Sequence, residues 1–235
     1  MTFELFNLAW PWMGLGAAVV LLIFLFGTDV LGTKWKDLSW LAWLAVPAYL
    51  IHQFEEYSMN MVNGKYTIVE TFYSETSPFA AFLDTMELPL AHFPLMNTIF
   101  VWIAVPVAAY LCRKNPIIGL APYGFILANG LLHCVGSVAM GLGISNNPGF
   151  FSGSLIFVPL TIWVIYICKK SNRMTAKGIV IALISGLLGH IGLGSCYVFA
   201  IAGLPNIVLA ADVIVSFIPI IAAWLLCKIF KVEFS

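Results

Sequence analysis

Apolar residues along this chain gather in long runs separated by short polar punctuation, at 12–28, 38–58, 94–112, 117–143, 150–168, 178–201 and 206–228. Each run is close to the roughly 20 residues that cross a hydrocarbon core. Lipid leaves exposed peptide groups without partners, so each run is predicted to be α-helical. The predicted fold class is therefore all-α, a polytopic membrane helix bundle of seven transmembrane helices forming a single domain over 1–235. Pro47, Pro106, Pro122, Pro159 and Pro219 fall inside the runs and predict kinks. One connection is long, 59–93. Within it Ser77-Pro78 reads as a helix start, and Phe79, Phe82, Leu83 and Met86 follow at helical spacing. The connection is thus expected to carry a short interfacial helix.

Composition changes this picture little but excludes alternatives. Of 235 residues, 61% are hydrophobic and only 9% charged, whereas a soluble domain carries about 25% charged residues. A soluble domain is excluded. The 11 basic residues balance the 11 acidic ones, so no bulk charge points to a nucleic-acid partner; the position of the charges matters more. With the amino terminus outside, every Lys and Arg except Lys65 falls on one side, and the positive-inside rule makes that side, with the carboxyl terminus, cytoplasmic. Trp10 and Trp12 then suit the outer aromatic belt, and Trp35 and Trp40 the inner one. The five cysteines form no CxxC pair, so no cysteine metal knuckle is readable. No basic n-region precedes the first run, and no cleaved leader is expected. The implied location is a cell membrane of the bacterial inner-membrane type.

Ionisable groups inside the runs carry the candidate chemistry. A charge at the bilayer centre costs about 2.5–3.5 kcal/mol on insertion scales, which makes such residues functional candidates. His52, Glu55 and Glu56 lie on the second run, His133 on the fourth, His190 on the sixth and Asp212 on the seventh, with His92 at the entry of the third. At a rise of about 1.5 Å per residue, the three intramembrane histidines and Asp212 fall in one layer of the outer half. In His52-Gln53-Phe54-Glu55-Glu56 the carboxylates follow the imidazole at i+3 and i+4, which puts all three on one helical face. Imidazole plus carboxylate is a common ligand pair for zinc or iron. A second carboxylate could bridge a second ion, act as a base or orient the imidazole. Asn129, His133 and Ser137 form another polar stripe. The candidate metal ligands are His52, Glu55, Glu56, His133, His92 and His190, and the candidate catalytic groups are Glu56, Asn129 and Asp212. For His190 and Asp212 an interhelical hydrogen bond is the competing role, and for His92, beside Pro94 at the interface, it is simple solvation.

The run His52-Gln53-Phe54-Glu55-Glu56, then Asn129-x-x-x-His133, then Asn147-Pro148-Gly149-Phe150 and Pro159, resembles the HXXEE family of integral membrane proteins over residues 48–165. The resemblance implies metal-dependent enzyme activity and a site role for His52, Glu55, Glu56, Asn129 and His133, without naming a reaction. The leading expectation is a membrane-embedded metalloenzyme acting on a lipid-like amphipathic substrate that enters between helices. Zinc would suit hydrolysis, and iron would suit oxygen chemistry. Two other classes stay open: a metal-free isomerase using Glu55, Glu56 and His133 as acid and base, and a proton or metal transporter using the same residues as a relay. A retinal Schiff base is excluded, because every lysine lies in a loop or at a helix end.

Overall fold

The computed structural model describes residues 3–28, 32, 34–58, 85–139 and 147–232, and among these there is no strand. The described residues form seven long helices: α1 (Phe3–Gly27), α2 (Leu38–Tyr57), α3 (His92–Leu111), α4 (Pro116–Leu120 continued by Pro122–Ala139), α5 (Phe150–Lys170), α6 (Ala176–Ile201) and α7 (Pro205–Ile229). Polar caps start several of them. Asp37 accepts from Trp40 N, Asn115 accepts from Ile117 N and Ile118 N ahead of Pro116, and Thr175 accepts from Gly178 N. These are the side-chain oxygens that satisfy otherwise orphaned first-turn N–H groups. The helix expected over Ser77–Met86 lies outside the described residues, apart from Thr85 and Met86, which are not helical.

Six of the seven helices are both long and apolar enough to cross a membrane. The chain is a multi-pass membrane protein. The exception is α2, which has the length but not the apolarity, because His52, Gln53, Glu55 and Glu56 sit in its last turns. Packing resolves the conflict: 16 of its 20 residues are buried, against α1, α3, α4 and α5. Surrounding the least apolar helix with the others removes it from lipid, where its polar groups would find no partners. The outward faces of α1, α5, α6 and α7 carry exposed Leu, Ile, Val, Phe and Trp instead, an apolar belt suited to a bilayer.

The prolines act in two ways. Pro47 and Pro219, together with Pro11, are accommodated inside continuous α-helices. Pro11 therefore does not delay α1, which begins nine residues before the expected 12 and sets Trp10 against Tyr57 and Phe93. Pro106 and Pro159 are instead preceded by π-helical turns, Thr98–Ala104 and Gly153–Phe157, in which Val105 N–H reaches back to Phe100 O and Val158 N–H to Gly153 O. Proline offers no N–H to the carbonyl one turn back, and a wider turn re-pairs the ladder around the gap. Pro122 splits α4 at Ala121.

Contacts between helix ends sort the bundle into two poles. At one, Trp163 Nε1 donates to Trp35 O at 3.0 Å, Arg173 meets Asp37 at 3.9 Å and Lys177 Nζ donates to Phe230 O at 2.9 Å. At the other, Glu87 N donates to Ala200 O at 3.1 Å, and the end of α2 meets the start of α5. The candidate site lies at this second pole.

Candidate metal centre

Two helices and one turn assemble the centre. On α2, His52 and Glu56 are one turn apart, and His52 Nε2 lies 3.4 Å from Glu56 Oε2. From α4, His133 Nε2 lies 3.7 Å from Glu56 Oε1. One ligand atom from each of His52, Glu56 and His133 falls within 4.8 Å of the others. Ligand bonds of about 2.0–2.1 Å in a tetrahedron imply separations of about 3.4 Å between ligand atoms. The two short separations, one to each oxygen of Glu56, are at or near that value, so the three residues could hold a cation.

Hydrogen bonds behind the imidazoles decide which nitrogen faces inward. The Ser152 hydroxyl donates to Glu55 Oε2, and its single proton is used there. The contact of 2.8 Å between Ser152 Oγ and His52 Nδ1 must then be a bond donated by Nδ1–H. Asn147 Nδ2 donates to the His133 carbonyl and to Ser137 Oγ, each at 2.7 Å, which leaves Asn147 Oδ1 to accept from His133 Nδ1–H at 3.1 Å. Both rings thus carry the proton on Nδ1 and aim an Nε2 lone pair at Glu56. His52 Nε2 is buried with no hydrogen-bond partner. Two imidazole lone pairs and one carboxylate therefore converge, an arrangement that a cation or a proton between them would stabilise.

Glu55 and Glu56, adjacent in sequence, have separate jobs. Glu55 accepts from Phe151 N at 2.9 Å and Ser152 N at 2.7 Å, so its carboxylate seats on the first turn of α5, where free N–H groups and the helix dipole favour an anion. Through Ser152 it also orients His52. Glu56 alone of the pair faces His133. Ser152 and Asn147 are site residues that the motif spacing does not single out; the available signal is that Asn147-Pro148-Gly149 opens a helix directly after the His133 stripe. Ser152→Ala is expected to lower zinc affinity roughly 10- to 100-fold, read by competition against a chelator, with the chain still extractable.

Gly149 holds the turn under both rings. Its φ is +82°, a conformation that L side chains rarely adopt, and a Cβ there would stand 2.7 Å from Cε1 of His133 and 2.7 Å from Cε1 of His52. Phe157 backs His52 from the other side at 4.4 Å between ring centroids.

The remaining candidates separate into two groups. Asn129 and His190 line a cavity of about 370 Å³ together with Glu56 and His133. Asn129 Nδ2 donates to Tyr49 Oη at 3.1 Å and leaves its own Oδ1 without a partner. His190 stands on the α6 wall against Phe125 and does not join the three-ligand group. His92 and Asp212 pair with each other instead, Nδ1 to Oδ1 at 2.9 Å, both almost wholly buried. They tie α3 to α7, and Tyr197, one of the cavity-lining residues, packs on His92. Gln53, inside the motif, ties α2 to α3 through Asn97.

A family described as a protein of unknown function with an HXXEE motif matches residues 43–164, just over half of the chain. The chain belongs to the HXXEE family. No curated protein and no solved structure matches it. The matched segment contains the HXXEE motif at His52, Glu55 and Glu56, together with His133, Asn147, Gly149 and Ser152. In this member of the HXXEE family the motif histidine and second glutamate form the cluster, and the first glutamate anchors the helix that carries Ser152.

Proposed function

We propose that this HXXEE protein is a membrane-embedded metalloenzyme, a hydrolase or an oxidoreductase, whose divalent ion is held by His52, Glu56 and His133 and whose substrate is a lipid-like amphiphile. The observation that carries the reading is the convergence of two inward-facing imidazole lone pairs and one carboxylate within ligand distance of one another. Two histidines and one carboxylate leave a coordination position open, a set used by catalytic zinc and by non-haem iron. When bound, such an ion supplies Lewis acidity beside the cavity.

The chain's own residues do the rest. Ser152 and Asn147 hold the two rings in register, and Glu55 holds Ser152. Asn129 Oδ1 is available to accept from a polar substrate head, and His190 on the opposite wall is placed to exchange a proton with it. His92 and Asp212 take a positioning role, steadying Tyr197 from behind.

The gathering of basic residues at the pole away from the site supports, under the positive-inside rule, an orientation with that pole in the cytoplasm, the metal centre near the outer face and the amino terminus outside. The location proposed is a cell membrane of the bacterial inner-membrane type.

Element analysis of the purified full chain tests the reading. Close to one zinc or iron per chain is expected. A chain that carries no transition metal, and takes up none from a zinc or iron titration, overturns it and moves the acceptor cluster to proton chemistry, as in a metal-free isomerase. Metal flux across sealed vesicles at turnover rates would instead favour a transporter.

A further inference from the structure

We propose that the gap between α4 and α6 framed by Gly136 and Gly194 is the port through which the acyl chain of the substrate leaves the cavity for the bilayer. The inference deepens the metalloenzyme reading and rests on it for the place of the polar head.

The two helices are in backbone contact further along. A Cβ on Gly124 would lie 2.0 Å from Leu183 O, and one on Gly186 would lie 2.3 Å from Ala121 O. Those glycines are required by packing. Towards the metal centre the helices part, and the cavity of about 370 Å³ opens between them. Leu132 lines this cavity and is still 57% exposed, and Gly194 on the facing helix is likewise both cavity-lining and exposed. The mouth therefore faces where lipid would be.

Gly194 and Gly136 differ from the packed glycines. A Cβ on Gly194 meets nothing within 4 Å, and one on Gly136 meets only Asn147 Nδ2 at 3.8 Å. Glycine inside a helix costs about 1 kcal/mol relative to alanine, and at these positions no neighbour requires it. What both absences preserve is the width of the mouth. The ligand end is marked independently by polar atoms that lack partners: His52 Nε2 in a fully buried ring beside Glu56, and Asn129 Oδ1 on the cavity wall. A volume of about 370 Å³ is at the low end for small-molecule sites, roughly 300–1,000 Å³. It suits a polar head and the first carbons of a chain, and the rest of an acyl chain must pass out between Leu132 and Leu193.

The test reconstitutes the full chain in phosphatidylcholine vesicles doped with a palmitic acid that bears a mid-chain diazirine, irradiates them and maps adducts by peptide mass spectrometry. Met96 lines the cavity and is buried, and Val135 faces outward on α4. Adducts are expected on both in the wild type. Gly194→Leu is expected to lower the Met96 adduct at least tenfold while leaving Val135 labelling and bound metal per chain unchanged; Gly136→Leu serves as the second variant if Gly194→Leu does not fold. Labelling confined to Val135 and other outward residues overturns the port, as does Met96 labelling that neither variant reduces. Met96 labelling that the variants do reduce, in a chain without metal, keeps the port and removes the metalloenzyme reading.

Discussion

His52→Ala is expected to drop bound zinc or iron from close to one ion per chain to less than a tenth, with His133→Ala and Glu56→Gln doing the same. Each removes one of three ligand atoms that lie within 4.8 Å of one another, and a catalytic-type site with three protein ligands has none to spare. The informative comparison is with Glu55→Gln, one residue away. Glu55 satisfies two first-turn N–H groups of α5 and receives the Ser152 hydroxyl proton, so its neutral amide weakens a charge-assisted helix cap. Glu55→Gln should therefore lower the thermal midpoint in detergent and retain a measurable fraction of the metal. Glu56→Gln should lose the metal and leave the metal-free midpoint unchanged or raised, since the amide removes the negative charge and brings a donor to the two Nε2 lone pairs. Inductively coupled plasma mass spectrometry and thermal scans on the four variants decide this. Identical behaviour of the two glutamine variants would sink the division of labour within the motif.

Gly149→Ala is the second large effect, and it reaches both histidines from one methyl group. The left-handed backbone at φ +82° penalises an L side chain by about 1–2 kcal/mol. In addition the new Cβ would sit 2.7 Å from a ring carbon of each imidazole. His52 cannot retreat freely, because Phe157 and Tyr49 pack its ring and Ser152 holds its Nδ1. The strain must be relieved by pushing the two Nε2 atoms out of register with Glu56. A loss of zinc affinity of at least 100-fold is expected, with a lower thermal midpoint, from competition titration and thermal scans. Gly136→Ala on the neighbouring stretch of α4, where a Cβ meets only one atom at 3.8 Å, is the control that should bind zinc normally. Wild-type affinity in Gly149→Ala would mean that the rings are not held where the geometry puts them.

Much of the helical order was legible along the chain. The seven apolar runs correspond to seven helices because a long apolar stretch has one way to pair its peptide groups in lipid. Boundaries moved where proline intervened: Pro11 lies within α1, and Pro106 and Pro159 follow π turns rather than simple kinks. The face shared by His52, Glu55 and Glu56 was likewise legible, since helical spacing alone sets it. Which carboxylate meets His133 was not, because i+3 and i+4 differ by a rotation about the helix axis whose meaning depends on the neighbours. The seat for Glu55 is the amino-terminal turn of α5, nearly a hundred residues on, and nothing local to the motif announces it.

Depth in the bundle and direction around each helix divide in the same way. Counting residues along each helix brought His52, His133, His190 and Asp212 to one level, but level is a coordinate along the bundle and says nothing about the direction each residue faces. Packing sent Asp212 to His92, set His190 on the far wall of the cavity and left His52, Glu56 and His133 together. By itself the chain determined how many long helices form, which residue types they carry and how far apart those lie along each axis, because rise per residue and peptide pairing are local physics. Rotation of each helix, the splaying of α4 from α6 and the turn that carries Gly149 were decided only in the tertiary structure, since they come from contacts between segments that the sequence keeps apart.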